Sequence, residues 1–152
     1  MRLIFARNKH LLSYLIQREQ WGEWSHVGII DGDFVIEARG IPVLPLILII
    51  FGVIKNSLKY GGVTRTPMAE FLSRYHVTHT AYINGSIDSA RTHIGTMFDG
   101  WGILGIFFKR RIHCDDKVFC SKLVALCATN YRDKLAYKAT VENIYAISRD
   151  TP

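Results

Sequence analysis

A chain of 152 residues, 49% hydrophobic and 21% charged, is long enough to bury a core and too apolar to stay disordered. Its net charge of +6 divides evenly, +3 in residues 1–76 and +3 in residues 77–152, which excludes the concentrated basic arm of a nucleic-acid binder. A mildly cationic surface suits an anionic target such as cell-wall polymer or lipid headgroups, and serves solubility equally well.

"RLIFAR" opens the chain as a short strand. "NKHLLSYLIQREQ" follows as a helix, with Asn8 as N-cap and Leu11, Leu12, Leu15 and Ile16 on one stripe. Arg2, Arg7 and Lys9 interrupt the N-terminus before the apolar run of a signal peptide forms. Cys114, Cys120 and Cys127 cannot all pair within the chain. Reduced thiols and synthesis in a cytoplasm are expected, with delivery to a cell wall by lysis or a virion left open.

"EWSHVGIIDGDFVIEA" then reads as a hairpin with an imidazole in an apolar run. Asp31–Gly32 is a two-residue turn signal, because a type I′ turn wants residues that tolerate positive φ. Taken literally, that register sets His26 directly across from Glu37, with Val27, Ile29, Phe34 and Ile36 on the core side. A carboxylate so placed fixes the imidazole's tautomer and favours imidazolium. The bland counterpart is a cross-strand polar pair at the surface.

Gly40 to Ile54, "GIPVLPLILIIFGVI", is uncharged for 15 residues and carries Pro42 and Pro45. It is too short for a transmembrane helix, which takes about 20 residues. As an insert over about 40–60 it is either core, or a peripheral membrane or homodimer contact through 43–54. Gly61–Gly62 is a turn, "VTRTP" a strand, "MAEFLSRY" one or two helical turns and "HVTHTAYI" a strand. "SIDSARTHIGTMF" is a helix with Ser86 as N-cap and Ile87, Ala90, Ile94 and Met97 at helical spacing. Asp115 and Asp116 precede a helix in "KVFCSKLVALCATN", and "ENIYAIS" is a closing strand or a short helix. Mixed elements without βαβ alternation favour an α+β fold.

Cys120 lies within a turn of that helix's start, where backbone N–H groups and the positive dipole end lower a thiol pKa. A cysteine there, a histidine on a strand and a polar group orienting the histidine make a thiol-hydrolase triad. Cys127 is one heptad on, among apolar neighbours, and reads as an inert core residue; Cys114 looks incidental. His76 and His79 fall on opposite strand faces. His113, Cys114, Asp115 and Asp116 are adjacent and diverge, so no metal site is read. Lys109, Arg110 and Arg111 read as a solvated loop.

"WSHVGIIDGDFVIEA" followed far downstream by "FCSKLVA" resembles the circularly permuted branch of the NlpC/P60 superfamily of papain-like cysteine hydrolases, which includes the lecithin–retinol acyltransferase-like proteins. The order His26, Glu37, Cys120 is the permuted one, and "IGTMFDGWGILG" resembles the "G-x-x-Y-x-W-G-G" element ahead of the cysteine. The resemblance runs from about residue 24 to residue 150. Length alone reads as a single domain over 1–152; the resemblance implies an antiparallel sheet packed against helices, and no metal or organic cofactor. Its tyrosine is Phe98 here, so the oxyanion donors are sought in the backbone N–H groups of Cys120 and Ser121. Many permuted relatives carry an acidic residue where Lys122 stands, a position expected to face solvent.

The expected activity is cleavage of a peptide amide, as in cell-wall peptides, with Cys120 as nucleophile, His26 as proton shuttle and Glu37 orienting His26. A lipid-directed acyl hydrolase or acyltransferase is the alternative that the apolar insert would serve. A catalytically silent binding or accessory module with the same fold is the third reading.

Overall fold

The computed structural model describes residues 1–7, 14, 17–18, 22–40, 61–99, 116–129, 131, 136 and 138–149. Outside these fall most of the expected Asn8–Gln20 helix, the apolar insert beyond Gly40, Lys109 to Arg111, His113, Cys114 and Asp115.

Among the described residues five strands form one antiparallel sheet: β1 (Arg2–Arg7), β2 (His26–Asp31), β3 (Phe34–Arg39), β4 (Gly62–Pro67) and β5 (Val77–Tyr82), in the order β4-β3-β2-β1-β5. Among the described residues four named helices accompany it: α1 (Met68–Arg74), α2 (Ile87–Thr92), α3 (Cys120–Cys127) and α4 (Val141–Arg149). The fold is α+β, as expected.

Strand alternation sorts the apolar side chains into two clusters, one per face. Leu3, Phe5, Val27, Ile29, Ile36, Ala38 and Val63 lie in the larger, with Leu123, Val124 and Ala125 of α3 and Ile144 and Tyr145 of α4. Ile4, Ala6 and Val35 lie in the smaller, with Phe71 of α1. The central strands are therefore buried on both sides, which is why "HVGII" reads as a nearly continuous apolar run. The start of α1 is tied to the hairpin, since Met68 N–H donates to the Asp33 carbonyl at 2.8 Å.

The hairpin register differs from the expected one. Ile29 faces Ile36, Ile30 faces Val35 and Asp31 faces Phe34, so the loop is Gly32–Asp33, with Gly32 at φ 60°. Asp31 stays in the strand because its buried carboxylate is held by Arg65 at 2.9 Å and Arg91 at 2.6 Å. Glycine at the first loop position then supplies the positive φ. Each strand slips by one residue in opposite senses, so His26 and Glu37 stay on one face but become diagonal neighbours. Continuing the register sets Gly28 opposite Glu37. Phe34 is only half-buried, at the sheet's end under the Arg65 guanidinium, 3.8 Å from its ring centroid.

Two helices also differ. Ser86 caps α2 as expected, accepting from Ser89 N–H at 3.3 Å, but the helix ends at Thr92 and leaves Ile94 and Met97 43% and 42% exposed. The chain is drawn off to pair with β4: Gly95, at φ 92°, donates to the Val63 carbonyl, and Val63 donates to that of Thr96. "ENIYAIS" lies in a helix, α4, with Ile144 and Tyr145 turned inward.

Candidate active site

His26 opens β2, pairing with Ala6 of β1, so its ring stands at the end of the sheet. Its Nε2 lies 2.8 Å from Glu37 Oε2. The absence of a side chain at Gly28 makes room for this diagonal contact. A Cβ added there would meet Val35 Cγ1 at 2.4 Å and Glu37 Cβ at 3.6 Å.

Glu37 is fully buried, at 0% exposure. A buried carboxylate holds its charge only when bonded and balanced. Oε1 accepts from Thr66 Oγ1 at 2.8 Å and from Arg74 Nη2. Burial pushes the carboxyl pKa up, but the bonds and charges of His26 and Arg74 outweigh it and hold it at about 2. Glu37 is therefore an acceptor-only anion at working pH.

Cys120 is the first residue of α3, after an extended Phe119 that makes no side-chain cap. The stretch before it is not helical: Val118 bridges to Phe98, and Asp99 N–H donates to the Val118 carbonyl at 3.0 Å. Helix formation at Cys120 leaves the first-turn N–H groups without intrahelical partners. The thiol contacts His26 and the N–H groups of Val27 and Ser121. Burial pushes its pKa up; the His26 hydrogen bond and charge, with those N–H groups, bring it below the ordinary value. Cys127 shifts the other way, raised by burial among core neighbours.

With Nε2 committed to Glu37, Nδ1 is the His26 nitrogen left for sulfur. Burial drags the imidazole pKa down, but the contacts with Cys120 and Glu37 prevail and raise it to about 9. These shifts all favour a thiolate beside an imidazolium beside a carboxylate. The structure thus brings Cys120, His26 and Glu37 together. Ser121 follows, its Oγ donating to the Ala139 carbonyl at 2.6 Å.

The family model of the permuted papain-like amidases (YaeF/YiiX, C92 family) matches residues 2–146. The chain belongs to this family. Comparisons with curated proteins and with solved structures found no match. Family membership makes the protein a papain-like cysteine hydrolase of the amidase kind, and permutation accounts for the histidine strand preceding the cysteine helix.

Several neighbours of this candidate site were not legible in the sequence. Thr66 and Arg74 hold the Glu37 carboxylate, and Tyr75 stacks on His26 with centroids 5.4 Å apart and planes at 12°. Lys122 does not face solvent: it is 4% exposed, and Nζ donates to the Lys117 carbonyl at 2.6 Å, bracing the loop ahead of Cys120. The ring of Phe98 lies over Gly40, whose added Cβ would sit 3.0 Å from it. Among the described residues no cluster of three or more His, Cys, Asp or Glu is placed to hold a metal.

Proposed function

We propose that Cys120, His26 and Glu37 are the catalytic triad of this amidase and that the bond cleaved is a peptide amide of the kind found in cell-wall peptides. The observation that carries the triad is the unbroken contact chain from the Cys120 thiol through His26 to buried Glu37. The Cys120 thiolate attacks the amide carbonyl carbon, and the oxyanion is received by the backbone N–H groups of Cys120 and Ser121. The His26 imidazolium gives its proton to the departing amine as the C–N bond breaks, leaving a thioester on Cys120. Neutral His26 then takes a proton from water, which attacks the thioester. The acid leaves, and the thiolate–imidazolium pair is restored. Glu37 keeps the ring oriented throughout.

Alkylation by iodoacetamide, read cysteine by cysteine by peptide mass spectrometry, tests the nucleophile. Cys120 is expected to react fastest at neutral pH, and His26→Ala to slow it. Equal rates for all three thiols, or no effect of His26→Ala, would overturn the triad and favour the silent-module reading. Amine release from cell-wall peptides tests the substrate. It should vanish in Cys120→Ala, with wild-type rates falling on the acid side as the thiolate protonates and on the alkaline side as His26 deprotonates near pH 9.

A further inference from the structure

The end of α1 bears on the site from a helix that the triad reading does not use. Arg74 is its last residue and Tyr75 its C-cap. Arg74 reaches Glu37 Oε1, the carboxylate oxygen that His26 does not use, and its guanidinium carbon lies 5.7 Å from the Phe71 and Tyr75 ring centroids. Tyr75 covers one face of the His26 ring in a near-parallel stack, and Phe71 packs 6.0 Å from the same ring. Phe71 is fully buried and anchors the helix under both residues.

Resting on the triad reading, we propose that Arg74 and Tyr75 form a positioning bracket that keeps Glu37 ionised and His26 protonated, and so keeps Cys120 a thiolate. A carboxylate out of water takes a proton unless a cation stands by it. Thr66 offers Glu37 a hydrogen bond but no charge. Arg74 supplies the charge at the far oxygen, so the anion it preserves acts on His26 at 2.8 Å while its own repulsion acts from further off. The Tyr75 ring face favours imidazolium over neutral imidazole and keeps water off the pair. Among the described residues, the other charged or titratable groups around this corner are Cys120 of α3, Arg39 of β3 and Glu70 of α1. Arg39 and Glu70 are exposed and pair with each other at 3.6 Å. The neighbours from β1 and β4, Ala6, Thr64 and Thr66, carry no charge.

The test is the pH dependence of Cys120 alkylation by iodoacetamide, with melting temperature recorded alongside, in wild type, Arg74→Gln, Arg74→Lys, Tyr75→Leu and Tyr75→Phe. Arg74→Gln and Tyr75→Leu are each expected to move the acid limb upward by about one pH unit, a roughly tenfold slower reaction at pH values on that limb. Arg74→Lys should restore most of the limb and Tyr75→Phe should keep it in place, since charge and ring face are what count. Should Arg74→Gln not fold, Arg74→Met keeps the apolar stem against Phe71 and Tyr75 and gives the same reading. A lowered melting temperature with the limb unmoved in either loss variant makes that residue purely structural and overturns the bracket. A wild-type limb at the ordinary cysteine value of 9.0 overturns the triad instead, so the two failures are distinguishable.

Discussion

His26 and Glu37 share one face of the β2–β3 hairpin as diagonal neighbours, with Nε2 2.8 Å from Oε2. A turn at Asp31–Gly32 in place of Gly32–Asp33 leaves this shared face intact, because register slips that keep the parity of paired positions keep the faces. What parity cannot give is the diagonal geometry, which depends on Gly28 having no side chain. Gly28→Ala puts a methyl 2.4 Å from Val35 Cγ1 and beside Glu37 Cβ. Overpacking of this kind costs about 1–3 kcal/mol, and here it also pushes Glu37 away from His26. The expected result is a lower urea midpoint together with slower Cys120 alkylation at pH 7. A loss of stability with unchanged alkylation would show that the diagonal contact survives the methyl.

At the scale of elements, the strands and the start of α3 were legible because their signals are local: alternation, glycine turns and an apolar stripe. The end of α2 was not, since Ile94 and Met97 keep helical spacing while Gly95 and Thr96 are captured by Val63, some thirty residues earlier. Arg74 and Thr66 were invisible as partners of Glu37 for the same reason, their contacts spanning 37 and 29 residues. Asp31 read as turn chemistry, whereas its carboxylate joins β2 to Arg65 of β4 and Arg91 of α2. The Arg91 bonds come first in holding its pKa below the ordinary 3.8 against burial, with Arg65 adding to them. A depressed carboxyl stabilises the fold above its unfolded value, and that gain is lost as pH falls through the folded one. Asp31→Asn should therefore lower the urea midpoint at pH 7, and its gap from wild type should close as the pH drops below about 3.8. A gap that stays constant through acid would mean that the arginines bind the side chain's shape and not its charge.

For the whole molecule, the site leaves a signature in stability as well as in rate. His26 is raised from 6.5 to about 9, so its contribution is full below 6.5 and fades as pH rises through 9. Glu37 is lowered from 4.5 to about 2, so its contribution is full above 4.5 and fades as pH falls through 2. Cys120 is lowered from 9, so its contribution is full only above 9 and fades as pH falls toward its folded value. Where the His26 and Cys120 windows overlap, between about 6.5 and 9, the two slopes oppose. In the thiolate–imidazolium state the folded pair holds one proton, on His26, and the unfolded pair also holds one, on the thiol, so folding into that state moves the proton without binding or releasing it. The dependence on pH is set by that difference in bound protons, and here it is zero. Urea midpoints measured from pH 6.5 to 9 should then run parallel in wild type and in the His26→Ala/Cys120→Ala double variant, which removes the pair and leaves every other titrating group. A wild-type midpoint that falls relative to the double variant would mean that His26 gains a proton which Cys120 does not give up. One that rises would mean a thiolate beside a neutral imidazole, and in either case the thiolate–imidazolium pair would be gone from the resting enzyme.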